Sequence, residues 1–179
     1  GRADGFTWSF EDDVRQTPSL AGNVSETAPV RWTGDRATVQ DDARFTSQER
    51  MGGVGLTDED LDDLAAFVDF TPMVDAPLRG MSDAAVERGR EIFNRAETAC
   101  GNCHLGERYT DNQNYAMFGL ASVQTRSLSG VAGSPPYLHD GSAATLREVI
   151  ERSRDGSMGN TSNLTEEEVD DLIAYLRSL

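Results

Sequence analysis

The sequence predicts an all-α chain made of two related halves. Three observations predict it. Two stretches in the second half carry apolar residues at helical spacing behind capping residues. A third stretch, ending near Val68, repeats the last of these. No segment alternates apolar and polar residues long enough to stand out as a strand.

The repeat runs through most of the chain. "QTPSLAG" (16–22) matches "QTRSLSG" (124–130), and "APVRWTGDRATV" (28–39) matches "PPYLHDGSAATL" (135–146). "MGGVGLTDEDLDDLAAFV" from Met51 matches "MGNTSNLTEEEVDDLIAYL" from Met158, with one residue inserted. Val39 precedes Met51 by the same 12 residues that separate Leu146 from Met158. Leu61, Leu64, Ala65 and Val68 reproduce the apolar stripe of the last helix. The predicted organisation is a first domain over 1–72, a Pro-bearing linker over 73–81 and a second domain over 82–179. A chain of 179 residues has room for two small domains.

The second domain opens with "MSDAAVERGREIFNRAETA". Ser82 and Asp83 can cap a helix there, and Ala85, Gly89, Ile92, Phe93 and Ala96 share one face. It closes with "LTEEEVDDLIAYLRSL". Thr165 and Glu168 form a capping box, followed by Val169, Leu172, Ile173 and Leu176 at helical spacing. The acidic tracts "DEDLDD" and "EEEVDD" fall on helix first turns, where negative charge suits the dipole. They make poor calcium loops for the same reason.

Between these helices stands "TACGNCHL", with both cysteines of the chain. Cys100-x-x-Cys103-His104 is the c-type haem attachment pattern. Two thiols form thioethers with the haem vinyl groups, and the adjacent His supplies a nitrogen to iron. A thioredoxin-like dithiol would need a strand before it, and a helical stretch stands there instead. Structural zinc would need four ligands, usually in two pairs, and only the distant His139 is left to help.

An electron-transfer haem takes a second axial ligand, often Met. Met117, Met158 and His139 come after His104 in the chain. Met158 is the expected ligand, because it sits in the Gly/Ser/Asn loop "RDGSMGNTSNLT" rather than on a core stripe. Met117 lies only 13 residues past His104, a short path to the opposite face of a haem.

The Gly89/Phe93 spacing before C-x-x-C-H, with an A-Y-L terminal helix, resembles class I cytochrome c. That resemblance implies two terminal helices crossing closely at Gly89, with Phe93 meeting Tyr175. A more specific resemblance covers nearly the whole chain. "RQTPSLAG…APVRWTGDR" and "SPPYLHDGSAATLREVI" resemble segments of the bacterial di-haem cytochrome c peroxidase and MauG-type family. It implies two class I-like haem domains in tandem, with long haem-wrapping loops, outside the cytoplasmic membrane. Cys100, Cys103 and His104 match its second haem site. Trp32 falls on the family tryptophan between the haems. His139 matches a structural turn beside the second haem.

The first half holds no C-x-x-C-H. Cys100 precedes Gln124 by 24 residues, and the same offset from Gln16 falls upstream of Gly1. The first domain therefore reads as N-terminally incomplete. Met51 would ligate a second haem attached upstream; the alternative is a half that has lost its haem. Arg50 stands next to Met51 where family peroxidases have Glu, which favours electron transfer over peroxide cleavage.

The chain holds 31 Asp plus Glu against 16 Lys plus Arg, a net charge of −15. That excludes nucleic acid and anionic membranes as partners and steers towards a basic redox partner. It equally suits a solubilising surface. No apolar run is long enough to span a bilayer, and "GRADGFTWSF" is not a signal peptide. With the haem motif, the expected location is the periplasm or the outside, the signal lying beyond this chain. The expected function is electron transfer through a His104/Met158 haem c. The runners-up are a di-haem peroxidase or MauG-like oxidase, and a haem-containing structural subunit of a larger assembly.

Overall fold

A computed structural model of the chain describes residues 4–10, 13–73 and 81–179. The expected linker falls mostly on residues 74–80, outside them. Among the described residues five α-helices form: α1 (Val39–Phe45), α2 (Asp58–Phe70), α3 (Asp83–Phe93), α4 (Leu146–Arg152) and α5 (Glu166–Leu176). Each begins behind a Ser or Thr whose hydroxyl accepts the backbone N–H three residues on. In α2 and α5 the cap is reciprocal, with Asp60 and Glu168 reaching back to Thr57 and Thr165.

The all-α expectation is wrong. Two antiparallel hairpins are present: β1 (Thr7–Phe10) with β2 (Asp13–Gln16), and β3 (Asn114–Met117) with β4 (Leu120–Gln124). The chain is mixed α and β. The strands are too short for alternation to show, and the first three residues of β3 are exposed, so it lacks an apolar face. The turn between β3 and β4 is Phe118-Gly119, with φ of 54° and 77°. Two positive φ values are what a tight hairpin turn needs, and Phe in place of Asn or Asp hid the signal.

The sequence repeat is a structural repeat. Both hairpins run into the matched "QT" segments at Gln16 and Gln124. The bridge Val30–Arg36 has its counterpart in Tyr137–Ala143. Arg31 and Leu138 are both left-handed, at φ 75° and 69°, and Gly34 and Gly141 likewise, at 60° and 66°. Helices α1 and α4 come next at the same spacing.

The main core lies in the second half, where α3 crosses α5. A Cβ at Gly89 would overlap the Asp171 carbonyl oxygen and come within 2.7 Å of Tyr175 Cβ, so only glycine allows this approach. Phe93 meets Tyr175 edge-on, ring centroids 5.2 Å apart. Arg88 clamps the buried Asp171 carboxylate with two bonds, at 2.6 and 2.7 Å. Leu146, Ile150, Leu164, Val169 and Leu172 complete this core.

The first half has a smaller core of Val24, Val30, Val39, Ala65 and Val68. Among the described residues, no helix crosses α2 as α3 crosses α5. Phe67, the repeat counterpart of Tyr175, is 66% exposed, whereas Tyr175 is 7% exposed.

Candidate functional site

Helix α3 ends at Phe93 with Asn94 as its cap, and Thr98 shapes the chain beyond it. Thr98 is buried, and its hydroxyl donates to the Ile92 and Arg95 carbonyls, tying the next turn to the helix end. Ala99 then takes a left-handed conformation (φ 58°), and Cys100–Asn102 forms a single 3₁₀ turn. This turn presents Cys100, Cys103 and His104 to one cleft.

The cleft has a volume of about 430 Å³, within the range of ligand sites. Phe93, Val123, Leu128, Ile150, Leu172 and Leu176 supply apolar wall. Residues of the first half also line it, among them Gln16, Pro18 and Trp32.

The donor set fits a covalently attached haem. Both thiols are free and half-buried in the cleft. Burial pushes the Cys100 thiol up, opposite to the depressed value a redox-active dithiol needs. His104 Nδ1 lies 3.0 Å from the Tyr109 carbonyl. A carbonyl only accepts, so Nδ1 carries the proton and Nε2 keeps its lone pair for a metal. Burial also pushes His104 below its ordinary value, which holds the ring neutral. Among the described residues, no three of His, Cys, Asp and Glu stand together as a metal site, so zinc lacks a ligand set.

Met158 lines the same cleft. Its loop is strapped to the cysteine turn: Asn160 N–H donates to the Thr98 carbonyl at 2.9 Å. A Cβ at Gly159 would come within 2.5 Å of that carbonyl and 3.6 Å of Cys100 Sγ, so the loop lies flat against the turn. Met117 and Met73 also reach the cleft.

His139 lines the cleft and is 8% exposed, its ring stacked on Phe118 at 6.1 Å. Its Nδ1 has no hydrogen-bond partner among the described residues. Trp32 stands where the halves meet and donates from Nε1 to the Gln16 carbonyl at 2.7 Å. The structure thus gathers Cys100, Cys103, His104, Met158, Trp32 and His139 around one cleft. It does not bring Met51 there. Met51 caps a π-helical turn, Thr46–Arg50, and is 77% exposed.

Sequence reasoning missed several cleft residues. Gln16 and Gln124 belong to a repeated segment, which was a signal that went unused. Tyr115 donates to Asp111 at 2.6 Å, which pushes its phenol up. Arg126 lines the cleft, its guanidinium carbon 5.7 Å from the Trp32 ring. It keeps some surface, yet so much protein surrounds it that burial lowers its basicity. Nothing in a linear reading distinguishes it from the other arginines.

Comparison with known proteins also points to a haem protein. Residues 86–179 match the cytochrome c family. Hydrazine synthase subunit gamma of Kuenenia stuttgartiensis is 33% identical over 94 residues, 50% of this chain and 26% of that protein. The chain therefore spans about a quarter of that relative's length. A solved hydrazine synthase from the same organism, held under xenon, superposes with a TM-score of 0.81 at 18% identity. It covers 100% of this chain and 78% of that one. A MauG-like protein associated with microbial copper homeostasis superposes with a TM-score of 0.73 at 18% identity, covering 98% and 77%. At that identity the likeness shows the fold. It extends over both halves, as the resemblance to di-haem cytochromes and MauG-type proteins implies. The chain belongs to the cytochrome c family and carries covalently bound haem c.

Proposed function

We propose that the chain is an electron-transfer cytochrome whose haem is attached at Cys100 and Cys103, with His104 and Met158 as axial ligands. One observation carries this reading: Met158 shares the cleft with the C-x-x-C-H turn, and the Asn160–Thr98 bond ties its loop to that turn. Bound haem supplies a one-electron couple. The protein's own residues do the rest. The Tyr109 carbonyl orients His104 and raises its donor strength. The apolar wall excludes water and sets the potential through burial. Trp32, whose carbonyl accepts from the Gln124 N–H and whose ring faces Arg126, bridges the two halves as the candidate electron relay.

The first half is the body of a second domain of the same kind, completed by a helix outside residues 1–179. The bare face of α2 supports this. Phe67 and Asp63 are exposed where their counterparts Tyr175 and Asp171 are covered by α3 and paired with Arg88. That helix would bring a haem near Met51, in cis or from a partner subunit. Such a subunit role fits the likeness to one subunit of hydrazine synthase. The working location is outside the cytoplasmic membrane; no helix among the described residues is long and apolar enough to cross one.

Three measurements test this reading. Intact mass of the matured 179-residue chain reads one added haem; two would require attachment beyond the C-x-x-C-H motif. Oxidative footprinting finds Phe67 and Phe70 reactive in the isolated chain and shielded in protein from its natural source. Equal reactivity in both would contradict the missing helix. Peroxide turnover by the matured chain would favour the peroxidase reading instead.

A further inference from the structure

A cation that gives up part of its water to a protein wall needs an anion, because lost hydration is costly unless something replaces it. Arg126 is such a cation. It lies just past β4, and the Gln124 N–H donates to the Trp32 carbonyl at 2.8 Å, fixing this segment against the first half. Its guanidinium reaches the Arg31 carbonyl only at 3.4 Å and the Trp32 ring at 5.7 Å. Among the described residues no carboxylate pairs with it, although acids outnumber bases 31 to 16 in the chain. Most other described arginines sit against an Asp or Glu.

Among the described residues the cleft also holds buried polar groups without partners, including one on Gln16 and one on His139. Gln16 Nε2 is buried without a partner, its residue 5% exposed. His139 Nδ1 is buried without a partner as well, and the His139 carbonyl accepts from the Gln16 N–H at 2.7 Å. Arg126, Gln16 and His139 all line the cleft, and Trp32 touches the first two. The repeat adds a contrast. The first-half counterpart of Arg126 is Pro18, in "QTPSL" against "QTRSL". The cation thus occurs only in the half that carries the attachment motif. The haem that this cleft holds brings its own carboxylates, the propionates.

We propose that Arg126 is the counter-ion of a haem propionate, with the Gln16 amide and the His139 ring as further hydrogen-bond partners on the same wall. A guanidinium offers a carboxylate a planar fork of donors, which an ammonium cannot match. The first half then contributes directly to the haem site of the second half through Gln16. The tandem arrangement is part of the site, and the two halves are not independent modules.

The test uses the matured holoprotein and its Arg126→Leu, Arg126→Lys and Gln16→Leu variants. Thioether attachment keeps the haem in place in all of them. Resonance Raman reads the propionate bending mode, and a redox titration reads the midpoint potential. Arg126→Leu is expected to shift the propionate mode and lower the potential, because a positive charge favours the reduced haem. Arg126→Lys should restore much of the potential but leave the mode shifted, since a point charge replaces the fork. Gln16→Leu should shift the mode with a smaller change in potential. If the mode stays at its wild-type position in Arg126→Leu while the potential falls, the cation is near the haem but unpaired, and the proposal fails. If Arg126→Leu does not mature, Arg126→Lys carries the test alone: a shifted mode supports the pairing and an unmoved mode overturns it.

Discussion

At the level of single residues, the chemistry rests on where protons and lone pairs lie. The Tyr109 carbonyl fixes the His104 proton on Nδ1, leaving Nε2 for iron. Met158 is the proposed axial ligand, although Met117 and Met73 share the cleft. Met158→Ala should abolish the Met-to-iron charge-transfer band and lower the midpoint potential, whereas Met117→Leu should leave the band in place. Loss of the band in the second variant and not the first would reassign the ligand. The attachment residues were legible in the sequence because their spacing is local: three residues within five positions fix one chemistry. Arg126 was not legible, because its distinction is that no carboxylate among the described residues pairs with it, which only three-dimensional packing decides.

Among the elements, the crossing of α3 and α5 is the mechanical frame of the site. Gly89→Ala drives a methyl into the Asp171 carbonyl. It should cost about 2–3 kcal/mol of holoprotein stability, as overpacking of a tight core does, read by thermal or denaturant unfolding. Thr165→Ala removes the cap of α5 and should cost about 1 kcal/mol. The same cap predicts a pH dependence. The Thr165 N–H, donating to Glu168, holds that carboxyl below its usual range, and Arg95 adds to it. A depressed carboxylate adds stability above its unfolded value, about 4.3, and loses it as the pH falls through the lower folded value. Acid titration of Glu168→Gln should therefore show a smaller loss of stability below that pH than the unaltered protein.

These helices were readable in advance because caps and period agree: Ser82 and Thr165 stand where the pattern says. The hairpins were not, since strands of four and five residues are too short to carry much period. The repeat itself held the clue. Both hairpins precede the same "QT" segment, so one recognised hairpin would have predicted the other.

Across the whole molecule, two halves of one design differ in what they keep. The second has its α3, its attachment turn and its covered terminal helix. The first has the loops and α2, and leaves Phe67 and Phe70 bare. The halves meet at Trp32, Gln16 and Gln124, where first-half residues reach the second half's cleft. The −15 charge acts at longer range. Electron transfer to a basic partner should slow steeply as ionic strength rises, and an acidic partner should show the opposite trend in stopped-flow mixing. All of this turns on one haem sitting in the cleft with both axial positions filled by the chain. Optical and EPR spectra of the matured protein decide that point. The expected spectrum is that of a low-spin, six-coordinate haem with a Met-to-iron charge-transfer band and no turnover of peroxide; a high-spin component that consumes peroxide would contradict it.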